Sequence, residues 1–304
     1  MSAPDWAGVL TALDGLVARL ERLLPGPPPP VDWDRYRAFR WRRERGRGFL
    51  EAVRHPHRVR LEDLRGVDAQ KSVLLRNTRQ FLAGLPANNA LLWGARGTGK
   101  SSLVKALLEE LSGEGLRLVE VDAHALVDLP DVVAALDGRP EHFILFSDDL
   151  SFEAGDPSYK ALKAALDGSV AGLPENVLIY ATSNRRHLMP EYFQDNLEAR
   201  TVDGEIHPGE GVEEKVSLSE RFGVWLSFYP FDQEAYLEIA TAWVARLGGV
   251  EEEPDDPEDL RREALRWALA HGSRSGRSAW QFARDRVGRR GLADPGGGRA
   301  EEGG

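Results

Sequence analysis

Apolar residues recur along this chain with two different periods, and the change of period divides it into parts. From Trp6 to Leu24 they fall at helical spacing, with Val9, Leu10, Leu13, Leu16, Val17, Leu20, Leu23 and Leu24 on one stripe. This predicts an N-terminal helix, ended by PGPPPP, whose prolines lack amide donors and favour an extended backbone. The stripe fits a packing or oligomer contact, or a helix that docks on a partner. Next comes DRYRAFRWRRERGRGFLEAVRHPHRVR, dense in arginine and interleaved with aromatic rings. It reads as helix-forming, with Phe39, Trp41, Phe49, Leu50 and Val53 on the core and the arginines in solvent. Arginines for phosphates and rings for stacking also fit a single-strand nucleic-acid surface. From Asn88 onward, short apolar runs alternate with helical patterns: ALLWG, LRLVEVD, FILFSDD, VLIYATSN and VWLSFYPF. That alternation predicts an α/β fold with a five-stranded parallel sheet flanked by helices. After Phe231 the pattern is wholly helical, broken by EEEPDDPED, and the final GLADPGGGRAEEGG lacks apolar content.

The expected organisation is a helix and linker over residues 1–30, an Arg/aromatic segment over 31–75, a nucleotide-binding core over 76–230, a helical lid over 231–290 and an unfolded tail from 291 to 304. Composition narrows the function. With 42% hydrophobic and 29% charged residues the chain is globular in character, and no run approaches the length of a membrane span. Cysteine is absent, which removes disulfides, thiolate metal sites and cysteine nucleophiles, and points to the cytoplasm. A net charge of −10 argues against a generic nucleic-acid binder, although a basic face remains compatible with it.

GARGTGKSS matches the phosphate-cradle pattern G-x-x-x-x-G-K-[ST]. Gly94, Ala95, Arg96, Gly97, Thr98 and Gly99 form the loop, whose glycines let backbone N–H groups curl around phosphate oxygens. Lys100 supplies a point charge, the Ser101 hydroxyl suits Mg2+, and Ser102 continues the helix whose N-terminus faces the phosphates. A nucleoside triphosphate with Mg2+ is therefore expected. FILFSDD reads as a central strand that delivers Asp148 for the metal and Asp149 for the attacking water. Many ATPases carry glutamate at the second position. Aspartate is one methylene shorter, by roughly 1.5 Å, and Glu153 just downstream is a substitute if the turn brings it back. VLIYATSN ends in Thr182, Ser183 and Asn184, and Asn184 fits a group that orients the water or reads the γ-phosphate.

The order of cradle, acidic strand end, Asn-tipped strand, SERFG and helical tail resembles the AAA+ ATPases. FSDDLSFE, ENVLIYATSNRRHLMPE, EEKVSLSERFGVWLSFYPF and SRSGRSAWQF resemble, more closely, the bacterial AAA+ family known as domain of unknown function 815. The resemblance runs from about LEDLRGVDAQK to QFARD. It implies a P-loop AAA+ core that uses ATP and Mg2+, with Asn184 as sensor of the γ-phosphate. It implies Arg221 as an arginine finger reaching the neighbouring subunit's site, and Arg277 as a second sensor from the lid, with Arg274 close by in sequence. A homo-oligomeric ring or spiral follows, hexameric by preference. Three functions stay open: an ATP-hydrolysing machine acting on an unidentified macromolecule, a nucleotide-gated switch, and a nucleic-acid loader or motor working through the Arg-rich segment. A small-molecule kinase shares the cradle but leaves the lid arginines unexplained. MPEYFQDNLEARTVDGEIHPGEGVEEK, a long polar insertion before Arg221, reads as a mobile loop or a contact surface.

Overall fold

The five apolar runs became five neighbouring strands. In the computed structural model these are β3 (Ala90–Gly94), β4 (Leu116–Glu120), β5 (His142–Ser147), β6 (Val177–Ser183) and β9 (Val224–Phe228). The structure describes residues 10–11, 13–16, 30–44, 46–153, 156–167, 172–185, 188, 200–202, 205–207, 218–248 and 256–293. A hairpin of β1 (Ala38–Glu44) and β2 (Arg47–Ala52) extends the sheet to seven strands, ordered β2-β1-β4-β5-β6-β3-β9. All neighbours from β1 to β9 pair in parallel, and β2 alone is antiparallel.

Central position explains the unbroken apolar runs, because both faces of such a strand are covered. On β6, Val177, Ile179 and Ala181 join one core layer while Leu178 and Tyr180 join the other. The first layer is closed by α3 (Leu129–Leu136) and α4 (Pro157–Asp167). The second is closed by α1 (Asp68–Leu82) and α2 (Lys100–Leu111). Burying each Phe, Ile or Leu contributes about 1.5–3 kcal/mol. Tyr180 also satisfies its hydroxyl, which sits 2.9 Å from both Asn77 Nδ2 and Thr78 Oγ1.

The helix expected in the Arg/aromatic segment is instead the β1–β2 hairpin. Ala38-Phe39-Arg40-Trp41-Arg42 alternates with the period of a strand, and Trp41 pairs with Leu50. Phe39 and Trp41 are buried, and the Trp41 indole lies over Gly48, where any Cβ would come within 2.0 Å of Cζ2. Arg40, Arg42 and Arg43 pair with Glu120, Glu51 and Asp128 at 2.6, 3.0 and 2.7 Å. Two of the rings that would stack on bases are thus inside the core, Tyr36 and Phe49 are half-buried, and these three arginines already face carboxylates.

Other expected boundaries shift as well. The break at residue 75 falls inside α1, and the lid helices α5 (Gln233–Gly248), α6 (Pro257–Ala270) and α7 (Gly276–Ala293) run past 290 into the expected tail. They share a separate small core of Tyr236, Leu237, Ala264, Ala268, Ala279 and Phe282. Asp256, the described end of the acidic break, caps α6 by accepting from the N–H groups of Glu258 and Asp259 at 3.0 Å. The N-terminal stripe is helical at residues 10–11 and 13–16, with Leu10, Leu13 and Leu16 at least half exposed. The rest of that stripe and most of the proline run lie outside the described residues. Most of the insertion does too, apart from the two-stranded hairpin of β7 (Arg200–Val202) and β8 (Glu205–His207).

Candidate nucleotide site

Parallel strands bring their C-terminal ends to one edge, and the charged residues of β3, β5 and β6 meet there. Gly94 closes β3 at a φ of 127°, and a Cβ on it would lie 2.0 Å from the Phe228 carbonyl oxygen. That same oxygen accepts the Ala95 N–H at 2.9 Å, so the loop leaves the sheet pressed against β9. Gly97 and Gly99 also have positive φ, 73° and 100°, and Gly99 leads directly into α2. Inside the loop, the Thr98 hydroxyl donates to Ala95 O at 2.8 Å. We expect Gly94→Ala to cost about 3 kcal/mol, since it combines a left-handed backbone with a clash against main chain. Thermal denaturation checks this, and an unchanged melting temperature would contradict it.

Lys100 is buried, and its Nζ donates to Gly94 O and Ala95 O at 2.7 Å and to Asn184 Oδ1 at 3.1 Å. Burial lowers its pKa below the ordinary lysine range; Asp149 and Asp148 oppose this, while Arg96 and Arg277 reinforce it. The four charges that bear on the lysine therefore come from β5's end, the loop and the lid.

Two hydrogen-bonded circuits link the cradle to the acids. In the first, the Ser101 hydroxyl donates to Asp148 Oδ1 at 2.5 Å, and Thr182 Oγ1 donates to the same oxygen at 2.5 Å. In the second, Asn184 bridges Lys100 and Asp149, accepting from one through Oδ1 and donating to the other through Nδ2. A hydroxyl and a single carboxylate, with remaining positions open to phosphate oxygens and water, are donors that suit Mg2+. Among the described residues no cluster of three or more His, Asp or Glu offers a rival cage.

Glu153 stands one residue beyond the buried Phe152 with its side chain exposed. It makes no hydrogen bond to Lys100, Asn184 or Asp149 among the described residues. Arg277 lies on the lid against the loop: a Cβ on Gly97 would meet Ser275 at 2.8 Å and Arg277 Cβ at 3.5 Å. Arg274 lines, with Ala95, Arg96 and Thr98 of the loop and with Phe231, an open cavity of about 690 Å³. Ser102 occupies the first turn of α2. Arg221 is not gathered in. It precedes β9 and pairs with Asp167 at the end of α4. The cradle meets the opposite end of β9, on the order of 16 Å away along the strand.

The sequence reading passed over a strap in front of the loop. Leu64 lies 3.7 Å from where a Gly99 Cβ would stand, and Gly66 packs on Phe231. Lys71 Nζ holds the strap through Leu64 O at 2.6 Å, and Asp63 pairs with Arg246 of α5. The apolar residues of LEDLRG ahead of a glycine were the available signal.

The strand order, with the cradle strand β3 next to the edge, the asparagine-tipped β6 beside it and the acid-tipped β5 beyond that, is that of a P-loop fold of AAA+ type. Residues 34–290 match the family described as "Protein of unknown function (DUF815)", and the chain belongs to that family. Two point variants of RuvB from Thermotoga maritima share the fold. One has 17% identity and a TM-score of 0.52 over 77% of this chain and 65% of its own. The other has 18% identity and a TM-score of 0.50 over 75% and 63%. This chain thus spans less than two thirds of those solved chains. No curated protein matches it.

Proposed function

We propose that this protein is an Mg2+-dependent ATPase of AAA+ type whose sites are completed between subunits, and that its cycle remodels or loads a macromolecule. The observation that carries this reading is the pair of circuits joining Lys100, Asn184 and Asp149, and Ser101, Asp148 and Thr182. The loop N–H groups and Lys100 bind the outer phosphates. Ser101 and Asp148 hold Mg2+, which when bound neutralises charge on the phosphate oxygens. Asp149 takes the proton of the attacking water, and Asn184 sets that water against the γ-phosphate. Arg277 reaches the phosphates from the lid.

Arg221 cannot serve its own cradle across the length of β9, which supports a role in a neighbour's site and hence a homo-oligomeric ring or spiral, with a hexamer favoured. The preference for adenine comes from the family resemblance. No helix among the described residues is long and apolar enough to cross a membrane, and a cytoplasmic setting goes with this reading. A nucleic-acid partner at the hairpin could not stack on Phe39 or Trp41, which are buried.

The test is phosphate release with Mg-ATP across a protein concentration series. Turnover per subunit should climb with concentration, and Asp149→Asn should lower it by about a hundredfold or more at unchanged nucleotide affinity. Concentration-independent release, indifferent to Asp149, would sink the shared-site mechanism. The short Asp149 side chain, engaged by Asn184, favours one second reading, a nucleotide-gated switch. That reading requires ATP-dependent assembly without phosphate release, even with DNA, RNA or cell extract present.

A further inference from the structure

The chemistry above gives roles to Asp148, Asp149 and Asn184, yet none to the side chain of those circuits that touches both acids. Thr182 is 1% exposed on β6. Its hydroxyl donates to Asp148 Oδ1 at 2.5 Å and accepts the Asp149 backbone N–H at 2.8 Å. Its carbonyl accepts the Leu150 N–H at 2.7 Å, so one residue holds three consecutive positions of the turn after β5. A threonine hydroxyl has one proton and two lone pairs, and here the proton and a lone pair are both engaged.

Asp149 needs such support. At φ 53° it is the single non-glycine residue with positive φ among the described residues. A side chain persists in the left-handed region only where its surroundings over-determine it. At the same time, Asp148 Oδ1 receives two hydroxyls from opposite sides, Ser101 on α2 and Thr182 on β6. Two donors on one oxygen fix the rotation of the carboxylate about its Cβ–Cγ bond.

We propose that Thr182 is a positioning residue, whose single hydroxyl sets both the carboxylate of Asp148 toward the metal and the backbone of Asp149 toward the attacking water. Asn184, two residues further on, acts on the Asp149 side chain, while Thr182 acts on its main chain. The inference rests on the reading that Asp148 and Ser101 hold Mg2+.

The experiment compares Thr182→Val, which keeps the branched shape and removes the hydroxyl, with Thr182→Ser, which keeps the hydroxyl. Binding of a fluorescent ADP analogue is measured in EDTA and then through a Mg2+ titration. In EDTA both variants should bind within about twofold of wild type, and Thr182→Val should need about 10–100 times more Mg2+ for half-maximal tightening, as for loss of other partners that orient a metal ligand. Thr182→Ser should return to within about threefold of wild type. A Thr182→Val titration that overlays wild type overturns the proposal. Equal loss of metal-free binding in both variants overturns it too, since that marks a structural role. The titration reads binding, so a wild type that binds but never releases phosphate defeats the hydrolysis reading while Thr182 is still decided. A wild type whose binding ignores Mg2+ defeats the assignment of Asp148 and this inference together.

Discussion

Lys100→Ala should reduce nucleotide affinity by at least about a hundredfold and bring phosphate release to background, because it removes charge-assisted bonds worth about 1.5–3 kcal/mol each from a desolvated site. Lys100 is 6% exposed and its ammonium already lies against Gly94 O, Ala95 O and Asn184 Oδ1, so its position over the loop is set before any phosphate arrives. Burial lowers the pKa of Lys100, which puts its loss of charge at a lower pH than for a free lysine. Affinity should therefore decline on the alkaline side as pH rises through that lowered pKa, since the protonated form is the one that holds the phosphates. Lys100→Arg should not rescue, because a planar guanidinium does not fit where a compact ammonium makes three short bonds. Fluorescent-nucleotide titration across pH measures all of this, and wild-type affinity in Lys100→Ala would remove the cradle from the account.

Arg221→Ala should behave in the opposite way: nucleotide binding survives, and turnover falls by about a thousandfold or more. The pair that Arg221 makes with Asp167 is partly exposed and contributes only about 0–1 kcal/mol to stability, and a thermal melt of the variant separates loss of turnover from unfolding. Mixing gives the sharpest result. A subunit carrying Lys100→Ala binds no nucleotide but keeps its arginine, and a subunit carrying Arg221→Ala keeps its cradle. If one subunit completes the next, combining these two inactive proteins should restore phosphate release. Two inactive variants that stay inactive when mixed, while still co-assembling, would mean that the arginine acts within its own chain or not at all.

Much of the architecture was legible because it rests on local rules. A strand buried on both faces must be apolar throughout, so β3, β5 and β6 stood out as runs, while β4 and the edge strand β9 kept enough apolar positions to be seen beside them. The cradle was legible for a similar reason: its glycines answer a backbone demand, visible in the left-handed φ of Gly94, Gly97 and Gly99. The hairpin was misread because its arginines and glutamates suit a helix by propensity, whereas the alternation of Phe39, Arg40 and Trp41 becomes decisive only beside β4, where Arg40 finds Glu120. Tertiary context overrode propensity there.

The sequence alone determined that this chain closes a phosphate-binding loop between a buried strand and a helix, and that two acids end one later strand and an asparagine ends another. Those features depend on residues close together in the chain. The tertiary structure alone decided which distant groups meet them. It paired Thr182 with both acids, brought Arg274 and Arg277 of the lid beside the loop, and put Arg221 at the far end of β9 beside Asp167. Spacing along a chain does not encode these meetings, because strand order and register set them, and both emerge only when the whole sheet packs.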